Sequence, residues 1–205
     1  MKSIAKATLG RLPIYLRYLK SVRSASQNIS ATQLAKALDL GEVQVRKDLA
    51  SVSGKGRPKT GYKTEELIHQ LENSLGQNDN CQVILVGAGK LGRALLDYEG
   101  FKNYGIQIVA AFDINETVHY SESGIPIYPL SELQSFCFMN VIKIGIITVS
   151  EKAAQEICDL MVKCNISAIW SFARCELIVP ENVALLQERL ELSLAHLHNK
   201  ILRRD

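Results

Sequence analysis

Residues 81–92 read Cys81-Gln82-Val83-Ile84-Leu85-Val86-Gly87-Ala88-Gly89-Lys90-Leu91-Gly92, an apolar run that breaks into three closely spaced glycines. The run predicts a buried strand, and the glycines predict a tight turn opening a helix over Lys90–Glu99. Each glycine has a physical task. Gly87 allows the turn, Gly89 lets an anionic group approach the backbone, and Gly92 lets helix and strand pack closely, while the first helical N–H groups face the anion. Further along, Gln107–Phe112, Val141–Ile147 and Ser167–Trp170 read as apolar strands, and Glu151–Cys164 reads as a helix. Near-continuous apolar strands alternating with helices define an α/β fold, a Rossmann-type parallel sheet covered on both faces.

Asp113 ends the second strand, 21 residues beyond Gly92. A carboxylate there can accept hydrogen bonds from adenosine ribose hydroxyls, which raises the glycine loop from a weak pattern to a dinucleotide fingerprint. Ile114 and Asn115 follow it, so no arginine is placed for a 2′-phosphate, and NADH/NAD+ is preferred to the phosphorylated form. The bland alternative keeps the glycines for turn and packing alone. Tyr98 and Lys102 match the Tyr-x-x-x-Lys spacing of short-chain dehydrogenases, but they end the first helix after the loop, the wrong place for that role. His69, in a helix of the basic part, and His196 and His198, on the terminal helix, read as surface or interface residues, and His119 lies in a polar loop with no carboxylate placed to orient it. No catalytic set emerges, and the chain is read as a non-enzyme.

The chain has 205 residues, 47% hydrophobic and 22% charged, enough for one large core or two smaller ones. No segment reaches the roughly 18 uncharged apolar residues of a membrane span, and the start lacks a signal-peptide run, so a cytoplasmic protein with no membrane partner is expected. Five cysteines, Cys81, Cys137, Cys158, Cys164 and Cys175, form no C-x-x-C pair and no cluster with histidines, which argues against disulfides and metal. The net charge of +3 hides an asymmetry. Residues 1–76 carry 13 Lys+Arg against 6 Asp+Glu, whereas residues 77–205 carry 11 against 15. The polar run Gly76-Gln77-Asn78-Asp79-Asn80 marks the seam. The expected domains are 1–76, 77–180 and a terminal segment 181–205.

In the basic part, Pro13–Leu19 has helical spacing with Pro13 in a first turn. Ser30-Ala31-Thr32-Gln33 fits a capping box, and Asp39-Leu40-Gly41 supplies a turn into a helix over Glu42–Val52 with Val45, Leu49 and Val52 inward. Two short helices joined by such a turn make a helix-turn-helix. Gln44, Arg46 and Lys47 lie off the buried face, the chemistry a helix needs in a major groove. A solvated face with Asp48 paired to Arg46 or Lys47 is the plain alternative. Ser53–Tyr62 reads as a basic wing carrying Lys55, Arg57 and Lys59, a cation density suited to double-stranded DNA. Thr64 is expected to cap a helix with Leu67, Ile68, Leu71 and Leu75 inward. Glu181–Arg204 reads as one long helix with Leu186, Leu190, Leu194, Leu197 and Ile201 along one seam. It is either an intramolecular lid or, as favoured, a pairing surface for a second subunit.

Two other functional classes stay open on the residues alone: an NAD-dependent dehydrogenase with a basic appended domain, and a nucleotide-gated module that docks a protein. Arg11-Leu12-Pro13-Ile14-Tyr15-Leu16-Arg17, Val45-Arg46-Lys47-Asp48-Leu49, Gly61-Tyr62, Val86-Gly87-Ala88-Gly89, Leu91-Gly92-Arg93-Ala94-Leu95 and Ala110-Ala111-Phe112-Asp113 together closely resemble the Rex family of bacterial redox-sensing transcriptional repressors. The resemblance covers nearly the whole chain in order. It implies a winged helix-turn-helix domain, a Rossmann domain, and a homodimer with a C-terminal domain-swapped helix. It also implies release from operator DNA when NADH binds. By the same resemblance Gly87, Ala88, Gly89, Lys90, Leu91, Gly92, Asp113 and Ile114 hold the dinucleotide. Thr148-Val149-Ser150 line it, Phe172 and Ala173 lie near the nicotinamide, and Arg17, Tyr98 and Glu191 form a switch relay. Three departures stand out: Glu191 where the family commonly has aspartate, Ser51-Val52-Ser53 for its Tyr-Phe-Gly, and Ser171-Phe172-Ala173-Arg174 for its Asn-Phe-Ala-Pro.

Overall fold

The computed structural model of the chain describes residues 4–58, 60–77, 79–115 and 119–202. Two compact units form, Met1–Asn80 with Gly100–Gly105, and Cys81–Glu99 with Ile106–Asp205.

The first unit is helical with a small sheet. Helix α1 (Lys6–Val22) buries Leu12, Tyr15, Leu16 and Leu19 on one face and packs on α4 (Thr64–Ser74). The capping box forms as the sequence predicts: Ser30 Oγ accepts from Gln33 N at 3.1 Å, Gln33 Oε1 accepts from Ser30 N at 2.8 Å, and α2 (Ala31–Ala37) follows. Asp39, at φ 52°, turns the chain into α3 (Glu42–Ser53), which buries Val45, Asp48 and Leu49. Strands β1 (Asn28–Ile29) and β2 (Tyr62–Lys63) pair antiparallel, and mutual Arg57–Gly61 backbone bonds close the wing above them. This is a winged helix-turn-helix.

Two details differ from the sequence reading. Pro13 lies inside α1, not in its first turn, because the helix already begins at Lys6, and Leu12 just before the proline is the first residue of its buried face. Thr64 is the first residue of α4 and makes no capping bond; its hydroxyl is buried. Residues 100–105 join the first unit despite their position in sequence, with Gln77 Nε2 donating to Asn103 O at 2.6 Å and Tyr104 packed against the helical core.

The second unit holds strands β3 (Cys81–Val86), β4 (Ile106–Asp113), β5 (His119–Tyr120), β6 (Pro126–Pro129), β7 (Ile144–Ile147), β8 (Ala168–Ser171) and β9 (Ala184–Gln187). Their order is β5-β6-β4-β3-β7-β8-β9, parallel throughout except for β5. Without that antiparallel edge the order is that of a doubly wound dinucleotide-binding sheet, with its switch point between β3 and β7. Helices α5 (Lys90–Leu96), α6 (Leu133–Met139) and α7 (Glu151–Lys163) belong to this unit. One core joins Ile84, Val86, Phe112, Ile147, Ile157, Met161 and Ile169.

Helix α5 stops at Leu96, short of Glu99, and a 3-10 turn covers Glu99–Tyr104. The terminal segment is not one helix. Ala184–Gln187 form β9, hydrogen-bonded to β8 in the frame Ala184 N to Ser167 O and Glu188 N to Ser171 O. The helix, α8, spans only Leu190–Leu202. Leu186 fits a helical spacing with Leu190, but the open edge of β8 captures the backbone of this stretch instead.

Candidate DNA and nucleotide sites

Helix α3 presents Gln44, Arg46 and Lys47 to solvent, and the wing presents Lys55 and Arg57. An open groove of about 560 Å³ runs between them, lined by Arg46, Lys47, Lys55 and Arg57 with Thr32 and Tyr62. Lys59 lies outside the described residues. Arg46 donates to Glu42 one turn earlier, so one guanidinium edge is engaged and the rest faces out.

Asp48 does not pair with Arg46 or Lys47. It is buried, and Arg11 grips it with Nε to Oδ2 at 2.7 Å and Nη2 to Oδ1 at 2.9 Å. Tyr15 OH donates to Oδ2 at 2.8 Å, Thr8 to Oδ1 at 3.0 Å, and Gln44 Nε2 to Oδ1 at 2.9 Å. Burial pushes the Asp48 carboxyl up, but the bonds from Arg11, Tyr15, Thr8 and Gln44 outweigh it and hold the group below its ordinary value. Burial, with Asp48 adding to it, pushes the Tyr15 phenol up to about 12. The one acid within the Arg46–Lys63 stretch is therefore neutralised from beneath, and the exposed face keeps its cations. The signal was present: position 48 falls on the Val45–Leu49 inward stripe, and Arg11 and Tyr15 lie one helical turn apart.

The nucleotide-site residues gather at the carboxyl ends of β3, β4, β7 and β8, where ligands sit in sheets of this order. Gly87 has φ 104°, and a Cβ there would lie 2.9 Å from Thr148 C and Val149 N. At Gly92 a Cβ would stand 2.0 Å from Gly87 O, whereas at Gly89 it would meet nothing within 4 Å. Two glycines thus close the turn and the third leaves space above it. Thr148 Oγ1 donates to Gly87 O at 2.7 Å, tying the end of β7 to the loop. Asp113, last in β4, accepts from Ala88 N at 2.6 Å and from Asn115 N at 3.2 Å, which orients the carboxylate beside the loop and leaves lone pairs for hydroxyl donors. Lys90, Leu91 and Ile114 are exposed at this rim. After β8, Phe172 is half-buried with its ring 4.6 Å from that of Trp170, and Ala173 is buried and donates its N–H to Ser171 Oγ. Arg174 is exposed. These residues fit a dinucleotide: room at Gly89, an oriented acceptor at Asp113, and an apolar floor at Phe172 and Ala173.

Of the residues the resemblance assigns to a switch relay, Arg17 is exposed on α1, Tyr98 is exposed after α5, and Glu191 is exposed in the first turn of α8. No residue of α8 is buried, and Leu190, Leu194, Leu197 and Ile201 are all at least half exposed. Among the described residues no helix is long and apolar enough to cross a membrane, and no three metal-ligating side chains cluster. All five cysteines are free thiols.

Fold and sites together define a winged-helix protein built onto a Rossmann domain. Residues 3–50 match the family profile described as "Putative DNA-binding protein N-terminus", and residues 78–175 match that of the "CoA binding domain". The chain is 34% identical to the redox-sensing transcriptional repressor Rex of Porphyromonas gingivalis, over 97% of this chain and 92% of the relative. It is similar to the crystal structure of RSP in complex with beta-NAD+ and operator DNA, with TM-score 0.80 and 30% identity over 100% of this chain and 95% of that one. The crystal structure of RSP in complex with beta-NADH gives TM-score 0.72 at 30% identity, over 100% and 97%. The chain belongs to the Rex family of redox-sensing transcriptional repressors.

Proposed function

We propose that this chain is a repressor that reads the NADH/NAD+ ratio: it binds operator DNA through its winged helix and releases it when it holds NADH. The observation that carries this reading is the pairing, in one member of the Rex family, of a solvated recognition helix with a dinucleotide loop at a sheet switch point. The RSP structures with beta-NAD+ and operator DNA and with beta-NADH support it.

Gln44, Arg46 and Lys47 would enter the major groove, with Lys55, Arg57 and Lys59 on phosphates. Gly87 to Gly92 would receive the pyrophosphate, Asp113 the ribose hydroxyls, and Ile114, Thr148 and Val149 the walls. The two oxidation states of the nucleotide differ by one positive charge on the nicotinamide. An apolar surface at Phe172 and Ala173 penalises that charge by desolvation, which gives the two states different affinities, and only such a difference shifts an equilibrium. Arg17, Tyr98 and Glu191 would relay the change, Glu191 with one methylene more than aspartate.

In this reading residues 1–76 lie in the DNA-binding domain, the sheet from β3 through β9 holds the nucleotide, and helix α8 pairs two copies. The unburied leucine seam of α8 supports a homodimer, swapped at this helix, that spans two half-sites about 34–36 Å apart. The protein would act in the cytoplasm as a regulator rather than an enzyme, with no metal. The test is a titration of a selected operator duplex with each nucleotide. NADH releases the protein at lower concentration than NAD+; equal release by both would refute redox sensing.

A further inference from the structure

We propose that Asp48 is a positioning residue that fixes which face of the Gln44 amide meets DNA, so that the recognition helix reads adenine, with cytosine second, at that position. The inference rests on the operator-binding reading above.

Gln44 and Asp48 stand one turn apart on α3, and Asp48 is almost entirely buried while Gln44 is exposed. Asp48 Oδ1 accepts from Thr8 Oγ1, Arg11 Nη2 and Gln44 Nε2, and Oδ2 accepts from Arg11 Nε and Tyr15 OH. A carboxylate held by five such bonds, two of them from a guanidinium, is ionised, and an ionised carboxylate has only acceptors. Gln44 can therefore meet it only with nitrogen, because the carbonyl turned inward would set oxygen against oxygen. That choice fixes the amide. Oε1 is left facing outward, together with the second N–H of the same nitrogen.

An untethered glutamine can flip its amide and satisfy either sign of base edge. Held by Asp48, it offers an acceptor with a donor beside it, the complement of adenine N6 and N7 in the major groove. Cytosine N4 satisfies the acceptor alone. Guanine O6 and N7 or thymine O4 would leave Oε1 facing an acceptor or nothing, which a desolvated interface penalises. The contact thus carries sequence information because of a residue that never reaches the DNA.

The experiment uses the full chain. Operators are selected from random duplex DNA, and each base pair of a half-site is then varied and its affinity measured for wild type, Gln44→Met, Asp48→Asn and the double variant Arg11→Met, Asp48→Asn. Gln44→Met loses about tenfold preference at one position per half-site, and the pair preferred there by wild type is A·T. Asp48→Asn, whose amide can donate as well as accept, frees Gln44 to flip and narrows that preference to within about threefold. Its affinity for random duplex and its salt dependence stay at the wild-type values, which a general loss of structure would not leave intact. Should Asp48→Asn fail to fold for want of a partner to Arg11, the double variant Arg11→Met, Asp48→Asn removes that cation as well and shows the same narrowing. A Gln44-dependent position that prefers a G·C pair overturns the proposal, as does an Asp48→Asn protein with unchanged preference. A wild-type chain that selects no sequence from the pool refutes the operator-binding reading itself.

Discussion

Replacing Gly89 by alanine separates folding from nucleotide binding. Gly89 has φ −71°, open to any residue, and a Cβ there meets no protein atom within 4 Å. Gly89→Ala should therefore change stability by no more than about 0.5 kcal/mol. The added methyl projects into the space above the turn where the pyrophosphate is expected. Crowding a fitted site by one carbon costs about 1–3 kcal/mol, so NADH affinity should fall by about 5- to 150-fold. Gly92→Ala is the contrast. Its Cβ would lie 2.0 Å from Gly87 O, and an ordinary C···O contact of about 3.3 Å requires a retreat of about 1.3 Å by helix or loop. Stability and affinity should both fall, the former by about 2 to 4 °C in Tm for each kcal/mol lost. NADH fluorescence titration and nucleotide-free thermal unfolding measure the two effects. A Gly89→Ala protein that binds NADH as wild type does, or that unfolds early, would refute the assignment of Gly89 to ligand approach.

Three further outcomes follow from the helical unit. The phenol of Tyr15 is raised from 10.0 to about 12, so its contribution to stability is whole below pH 10 and lost as the pH rises through about 12. Urea midpoints should drop across that window, and less steeply in Tyr15→Phe. Arg46→Ala should lower specific operator binding by about 1–3 kcal/mol and relax one base position, whereas Lys55→Ala should weaken all duplexes alike and lower the salt slope by about one. Fluorescence anisotropy across a salt series distinguishes them. Gly61 has φ 72°, and a Cβ there would lie 2.3 Å from Ile29 O. Gly61→Ala should unseat the wing, weakening duplex binding while NADH affinity holds.

What could be read in the sequence was local, and what could not was set by distant partners. The capping box needs only Ser30 and Gln33, three residues apart, and the glycine loop needs only its own spacing; both formed as read. The error at residues 181–189 has the opposite origin. Four residues of strand are short enough to fit a helical period, and the choice of β9 depends on a free edge of β8 that no local pattern reveals. Strands β5 and β6, beyond β4, escape the sequence pattern for the same reason, with prolines at both ends of β6 hiding a strand whose neighbours are β4 and β5.

Asp48 shows both sides of the distinction. Its place on an inward stripe was visible from Val45 and Leu49, and a buried carboxylate must find a cation or lose its charge. The cation is Arg11, 37 residues away on another helix, with Tyr15 one turn further along it. A pairing of Asp48 with its sequence neighbours Arg46 or Lys47 would half-neutralise a surface cation. The fold turns Asp48 inward instead, and among the described residues Lys47 has no acid partner and Arg46 pairs with Glu42, which keeps positive charge on the exposed face of α3. A buried ion pair beneath a recognition helix thus acts on the surface in two ways: it removes a negative charge from it, and it holds one of its reading side chains by the amide nitrogen.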